Sequence, residues 1–259
     1  MDLGIAGRKA IVCASSRGLG KACARALAEA GCEVVVNGRD AARLEATAKE
    51  IASATGVKVT PVAADLASPE GQQALLAACP DPDILVNNNG GPPLRDFREL
   101  SRQQMIDGVI ANMIVAIELI QKTIGPMTER KFGRIVNITS GSVKMPLAGL
   151  DLSSGARAGL TAFLAGVART VADKNVTINN LLPGPFDTDR LRGTINSAAK
   201  QKGISVEEAA KQRASATPAR RFGNPDEFGA ACAFLCSTHA GFIVGQSLLI
   251  DGGTFNGAL

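Results

Sequence analysis

The chain has 259 residues, 46% of them hydrophobic, and 28 Lys and Arg against 24 Asp and Glu give a formal charge of +4. That length suits one α/β domain around one core, and no uninterrupted apolar stretch approaches the roughly 20 residues of a membrane helix, so a soluble, non-membrane protein is expected. The cations are dispersed and aromatics are few, which argues against nucleic acid as a partner and for a small anionic ligand, and the first nine residues lack a basic segment leading into a long apolar one, so a cytoplasmic chain without a signal peptide is expected.

In chain order, short β-branched runs alternate with longer Ala- and Leu-rich stretches, the pattern of βαβ units wound about a parallel sheet. The candidate strands are residues 9–14, 33–37, 57–63, 84–88, 133–138, 176–182 and 247–250. Helix starts between them carry capping chemistry: Asp40 before Ala41, Ser68 before Pro69 and Glu70, Ser101 with Gln104, Ser205 with Glu208, and Asn224-Pro225 with Glu227. Each sets a side-chain acceptor on the open amides of a first turn, and Pro where no donor is needed. The expected fold is a three-layer αβα Rossmann fold, a doubly wound seven-stranded parallel sheet in a single domain spanning residues 1–259. After Pro183 the rhythm breaks: as far as about residue 224 there is no strand, but Gly184, Pro185, Gly193, Gly203, Pro218 and a short capped helix. In an open parallel sheet ligands bind beyond the carboxyl ends of the strands, so residues 185–224 read as a substrate lid or, more plainly, as a surface excursion.

The six cysteines, Cys13, Cys23, Cys32, Cys79, Cys232 and Cys236, show no CxxC spacing and several fall in apolar runs, so they read as buried, reduced thiols. His239 is the one histidine and cannot build a zinc site alone, so no metal is expected and acid–base chemistry falls to other side chains.

The first strand runs into Cys13-Ala14-Ser15-Ser16-Arg17-Gly18-Leu19-Gly20 and then a helix beginning at Lys21. A strand, a small-residue turn and a helix N-terminus offer free amides and a favourable dipole to a pyrophosphate. Where NAD-binding chains of this kind place a carboxylate for the adenosine ribose, the second strand ends in Asn37-Gly38-Arg39. Arginine cannot accept those hydroxyls, but its planar fork pairs with a 2′-phosphate, and Arg17 can reach the same group; NADP(H) is therefore the expected cofactor.

Several ordered motifs then make the chain resemble a short-chain dehydrogenase/reductase, of the 3-oxoacyl-[acyl-carrier-protein] reductase-like branch, over essentially its whole length. The family's TGxxxGxG turn falls on Cys13 to Gly20, with Cys13 and Ala14 in place of Thr and the first Gly. Its acidic adenine contact falls on Asp65, flanked by Ala64 and Leu66, its NNAG element on Asn87-Asn88-Asn89-Gly90, its PG turn on Pro183-Gly184, and its closing DGG on Asp251-Gly252-Gly253. The resemblance implies a cofactor site built from Ser15, Ser16, Arg17, Gly18, Leu19, Arg39, Ala64, Asp65, Leu66, Asn88, Asn89, Gly90, Arg157, Pro183, Gly184 and Phe186, with Thr188 meeting the nicotinamide carboxamide.

The family's catalytic set is Asn, Ser, Tyr and Lys, with the last two spaced YxxxK on one helix face. Asn112 and Ser140 stand at the first two positions, but YxxxK has become Ser153-xxx-Arg157, and the chain contains no tyrosine. Arg157 can hydrogen-bond the nicotinamide ribose and hold a positive charge there, yet a guanidinium does not give up its proton. Ser153 is a far weaker acid than tyrosine and needs a relay. Lys144, with its pKa lowered by burial or a neighbouring cation, and a water held by Asn112 are the other candidate proton sources.

Two functions fit: an NADP(H)-dependent oxidoreductase of a carbonyl or alcohol substrate with an altered proton-transfer set, or a non-catalytic NADP(H)-binding sensor or assembly partner. Arg190, Arg192, Lys200, Lys202, Lys211, Arg213, Arg220 and Arg221 bias the segment after Pro183 toward an anionic substrate such as an acyl thioester carrier, although helix surfaces carry such charges routinely. The helix of residues 156–168 is apolar or small on nearly every side apart from Arg157 and Thr161, so its outer face should also be covered. The family resemblance implies pairing there and through the helix of Asn112, in a homodimer or homotetramer.

Overall fold

A computed structural model describes residues 1–91 and 94–257. Seven strands, β1 (Lys9–Val12), β2 (Glu33–Gly38), β3 (Val59–Ala63), β4 (Ile84–Asn87), β5 (Gly133–Ile138), β6 (Val176–Pro183) and β7 (Ser247–Ile250), form one sheet in the order β3-β2-β1-β4-β5-β6-β7. Every pairing is parallel. The chain winds outward from β1 in both directions, so the crevice at its switch point lies between the carboxyl ends of β1 and β4.

Alternation along the strands builds the layers, because successive side chains point to opposite faces. Ala10 and Val12 of β1 pack with Leu27 of α1 (Gly18–Glu29), Leu44 of α2 (Ala41–Thr55) and Phe228 of α9 (Pro225–Cys236). Ile11, between them, faces the other way, to Leu75 of α3 (Pro69–Ala78), Leu119 of α5 (Val115–Glu129) and Leu160 of α6 (Asp151–Val171). The result is the expected three-layer αβα fold.

The caps form where the sequence places them. Asp40, Ser68 and Ser205 accept from backbone amides of α2, α3 and α8 (Val206–Ser215), and Ser101 and Asn224 make capping boxes with Gln104 and Glu227. β1 ends two residues earlier than the apolar run suggests, because Ala14 turns into the left-handed region at φ 45°. Two features are new. Between α4 (Arg102–Val109) and α5 the backbone passes through a π turn, Ile110–Ile114, centred on Asn112. Arg102–Glu129 is thus one 28-residue helical rod, long and apolar enough to cross a membrane. Glu118 and Lys122 interrupt its apolar run, and Val115, Leu119, Ile120 and Met127 on its inner side are buried in the core.

The segment after β6 holds two helices where one was expected. α7 (Asp189–Lys202) is capped by Thr188, which the sequence reading assigned to the cofactor, and α7 and α8 close a small core of their own from Leu191, Ile195, Ala199 and Ala209.

Candidate active site

The glycine-rich turn follows β1 directly. Asn37 at the end of β2 accepts from the Ala14 amide at 3.3 Å, and Asn88 after β4 donates to the Ala14 carbonyl at 3.1 Å, so the turn is clamped from both neighbouring strands. A Cβ on Gly20 would lie within contact-forbidden distance of the Ala14 carbonyl, and Gly18 has φ 58°. Both positions need glycine, one for close approach of helix to turn and one for conformation. Gly90, after β4, has open space where a side chain would be. The resulting cradle of free amides and backbone without side chains fits a dinucleotide pyrophosphate.

At the adenosine end, Arg39 is 81% exposed on its side chain and stands 4.0 Å from Asp65, so both are accessible at the mouth of the β2–β3 edge. Arg17 pairs with Asp189, at the start of α7, at 3.5 Å, and the Thr188 methyl lies 3.7 Å from where a Gly18 side chain would begin. The start of α7 therefore sits over the glycine-rich turn. Leu66 is buried, as is Ser15, whose hydroxyl is spent on the Val12 carbonyl at 2.7 Å, which leaves Ser15 a structural part of the turn. Phe186 is likewise committed to the core, its ring edge-on to Phe228 at 5.2 Å. Gly184 is held against Asp251 of the closing DGG, where a Cβ would lie 2.6 Å away, so Pro183-Gly184 is the turn that carries the chain toward α7.

Asn112, in the π turn, is buried; its amide donates to the Gly108 carbonyl at 3.0 Å and its side-chain carbonyl has no protein partner. π turns interrupt helices at functional sites more often than elsewhere. Asn112, Asn87, Asn89 and Arg157 line one small cavity of about 20 Å³, room for a single water, and the Asn87 side-chain carbonyl also lacks a protein partner.

Arg157 is buried. It donates to the Ile138 carbonyl at 2.6 Å, the Asn89 carbonyl at 3.1 Å and the Ser153 hydroxyl at 3.2 Å. Burial first, and then the positive charge of Arg190, push its pKa down to about 10. That is still far above neutral pH, so Arg157 is a cation and no proton donor there. Lys144 is exposed, with its ammonium 5.6 Å from the Phe255 ring centre. Its side chain stands at the surface and is not among the residues that line the Asn112 and Arg157 cavity.

Ser140 follows β5, and its oxygen accepts from the Ser142 amide at 3.1 Å and the Ser142 hydroxyl at 2.9 Å. With its oxygen held by two donors, the proton of Ser140 is left to point elsewhere. Ser142, buried beneath it, escaped the sequence reading; the Ser140-Gly141-Ser142 spacing on a tight turn is the signal that could have found it.

Residues 13–254 match the family model described as enoyl-(acyl carrier protein) reductase. The chain belongs to the short-chain dehydrogenase/reductase family. It is 31% identical over 252 residues to the NADPH-dependent reductase BacG of Bacillus subtilis, covering 95% of this chain and 97% of that one. It is also 31% identical over 259 residues to the 3-oxoacyl-[acyl-carrier-protein] reductase FabG of Aquifex aeolicus, covering 98% and 100%. Among solved structures, L-sorbose reductase from Gluconobacter frateurii, complexed with NADPH and L-sorbose, superposes with a TM-score of 0.94 at 29% identity over the whole of both chains.

The structure brings Ser153 and Arg157 into hydrogen-bond contact with each other, on one face of α6.

Proposed function

We propose that the chain is an NADPH-dependent reductase of a carbonyl substrate. The observation that carries this reading is the meeting, at the carboxyl ends of β1, β4 and β5, of the dinucleotide cradle with a serine hydroxyl whose oxygen is already saturated by Ser142. NADP(H) is the cofactor; Arg17 and Arg39 would hold its 2′-phosphate, the amides of the glycine-rich turn its pyrophosphate, and Arg157 its nicotinamide ribose. When bound, it supplies a hydride.

The chain's own residues handle the proton. Ser140 donates its hydroxyl proton to the substrate oxygen while the Ser142 amide and hydroxyl hold its own oxygen, and water reaching the half-buried Ser140 returns that proton, so the relay runs from solvent through Ser140 to the substrate. Such a relay needs no group with a pKa near neutrality, because the developing alkoxide is itself a strong base. Arg157 keeps a fixed positive charge beside the site and lowers the cost of negative charge on that oxygen. α7 and α8 form a lid over the cleft, and copies of the chain pair through the outer faces of α4, α5 and α6.

The test is NADPH oxidation followed by absorbance over a panel of ketones, aldehydes and oxo acids. Turnover is expected with NADPH and at least tenfold tighter binding of NADPH than NADH; Arg39→Asp should remove about 1.5–3 kcal/mol of that preference, the worth of a hydrogen bond to a charged group. Ser140→Ala should abolish turnover with NADPH binding intact. Tight NADPH binding with no turnover on any carbonyl would leave a binding protein in place of a reductase.

A further inference from the structure

The loop that follows β4 carries an asparagine, Asn89, where the family's NNAG element has alanine, and both ends of its carboxamide are engaged inside the protein. The side-chain nitrogen donates to the Ala111 carbonyl at 2.8 Å, and the side-chain oxygen accepts from the Gly90 amide at 2.8 Å. The main-chain carbonyl of Asn89 accepts from Arg157 at 3.1 Å. One residue thus joins the β4 loop, the π turn between α4 and α5, and the buried arginine of α6.

The bond to Ala111 falls where the helical rod lacks one. In a regular helix the Val115 amide would bond the Ala111 carbonyl, four residues back; in the π turn it reaches five back, to Ile110. The Ala111 carbonyl is passed over, and a half-buried acceptor without a donor is destabilising. Asn89 is the donor that meets it. With alanine at position 89, the extra residue of the turn would be free to migrate along the rod and carry Asn112 with it.

Packing does not hold the turn in place of that bond. Ala111 and Asn112 form the wall between two cavities: the one of about 20 Å³ that they share with Arg157, and a larger one of about 240 Å³ beside Gly90, Leu100 and Leu152. A segment with space on both sides lacks the close packing that fixes a core element, so its place rests on hydrogen bonds. The Asn112 amide bonds Gly108, within the same rod, and its side-chain carbonyl has no protein partner to anchor it. If the turn shifts, that carbonyl leaves the Arg157 cavity and the wall opens to water from the larger one. A wetter site screens the Arg157 charge and weakens its hold on the developing negative charge of the substrate oxygen.

Resting on the reductase reading above, we propose that Asn89 is a positioning residue of the reductase, whose carboxamide serves the π turn rather than the cofactor and thereby keeps Asn112 beside Arg157.

The test uses the full-length protein with NADPH and the best substrate of the ketone, aldehyde and oxo-acid panel. Asn89→Ala should lower kcat at least tenfold while NADPH affinity, read by calorimetry, stays within threefold. Asn89→Asp keeps the size and the bond from Gly90 but has no proton to give Ala111 at neutral pH, so it should lose as much, and it carries the test if the alanine variant does not fold. Because Asn89 acts through Asn112, adding Asn89→Ala to Asn112→Ala should cost less than threefold beyond Asn112→Ala alone, whereas a general loss of stability would multiply the two effects. An unchanged kcat, losses that multiply, or a fall in NADPH affinity that matches the fall in kcat would each overturn the proposal, the last by returning Asn89 to the cofactor site. If the wild-type chain turns over no carbonyl on the panel, hydrogen exchange decides. Amides of Ile110–Val115 exchanging at least tenfold faster in the Asn89 variant, with those of β5 unchanged, uphold the brace while the reductase reading fails, and unchanged exchange overturns both.

Discussion

Arginine at position 157 changes what the site can do with charge rather than whether it carries one. A guanidinium has five N–H groups; three are spent on Ser153, Ile138 and Asn89, which fixes the plane and leaves two for a ligand. Its pKa, lowered to about 10 by burial and Arg190, sets a pH limit with a definite sign. Below that value the group is charged, so NADPH affinity should stay level from pH 6 to about 9 and weaken as pH rises through about 10. Arg157→Lys should bring the weakening to lower pH, because an ammonium starts near a pKa of roughly 10.4 and meets the same burial. Fluorescence titration of NADPH across pH reads both, and an unmoved break in the lysine variant would remove Arg157 from the cofactor site. Ala14 tells a different story at the same scale. It occupies a left-handed conformation, φ 45°, at the place where the family pattern has glycine. The Cβ there costs on the order of 1 kcal/mol. Ala14→Gly should therefore raise stability by about 1 kcal/mol in urea unfolding, with no loss of cofactor binding.

At the scale of elements, the carboxyl half of the sheet is tied together by amides. Asn87 of β4 donates to Asn137 of β5 at 2.9 Å, Asn137 donates to Asn180 of β6 at 3.3 Å, and Asn180 donates to Ser247 of β7 at 3.2 Å. These are register partners in successive pairings, so the polar chain runs straight across four strands. Removing the middle member strands two buried partners, and Asn137→Ala should cost about 2–4 kcal/mol, whereas Ser247→Ala at the sheet edge should cost under about 1 kcal/mol. Equal effects would show that the ladder is dispensable. The strands and most caps were legible from the sequence because β-branched runs and Ser, Asp or Asn before a first turn act locally. The π turn at Asn112 was not, since a single extra residue in a helical rod leaves the apolar pattern almost unchanged. α7 escaped for another reason: Thr188 precedes a polar, Arg-rich first turn that lacks the apolar spacing of a core helix, so its role as a cap is visible only in the fold. Of the candidate site, Asn112, Ser140 and Arg157 were singled out through the family resemblance, while the bond of Ser142 to Ser140 depends on a tight turn that only the fold shows.

For the whole molecule, burial is uneven in a way that bears on assembly. The six thiols are all buried, and burial pushes those of Cys13 and Cys32 up to about 12, so the interior is chemically quiet. The outside of α6 is different. Phe163 is 48% exposed, Ala162, Ala165 and Gly166 lie on the same open side, and nothing stands within 4 Å of a side chain built at Gly155 or Gly166. Met105, Ile106 and Val109 of α4 are exposed as well, at 44%, 41% and 37%. A helix that packs only against its own sheet has no use for an apolar outer face, and small residues there let a second helix approach closely. A symmetric pair of chains covers both copies of such a face at once. The expected outcome is a homodimer or, with a second interface, a homotetramer of the 26.7 kDa chain in light scattering at micromolar concentration. Ala165→Glu adds a charge to the middle of that face, where it would meet its own symmetry mate. It should reduce the mass to that of one chain or one pair while leaving the circular dichroism spectrum unchanged. A wild-type mass of one chain would end the pairing proposal, and an unchanged mass in the variant would move the interface off α6.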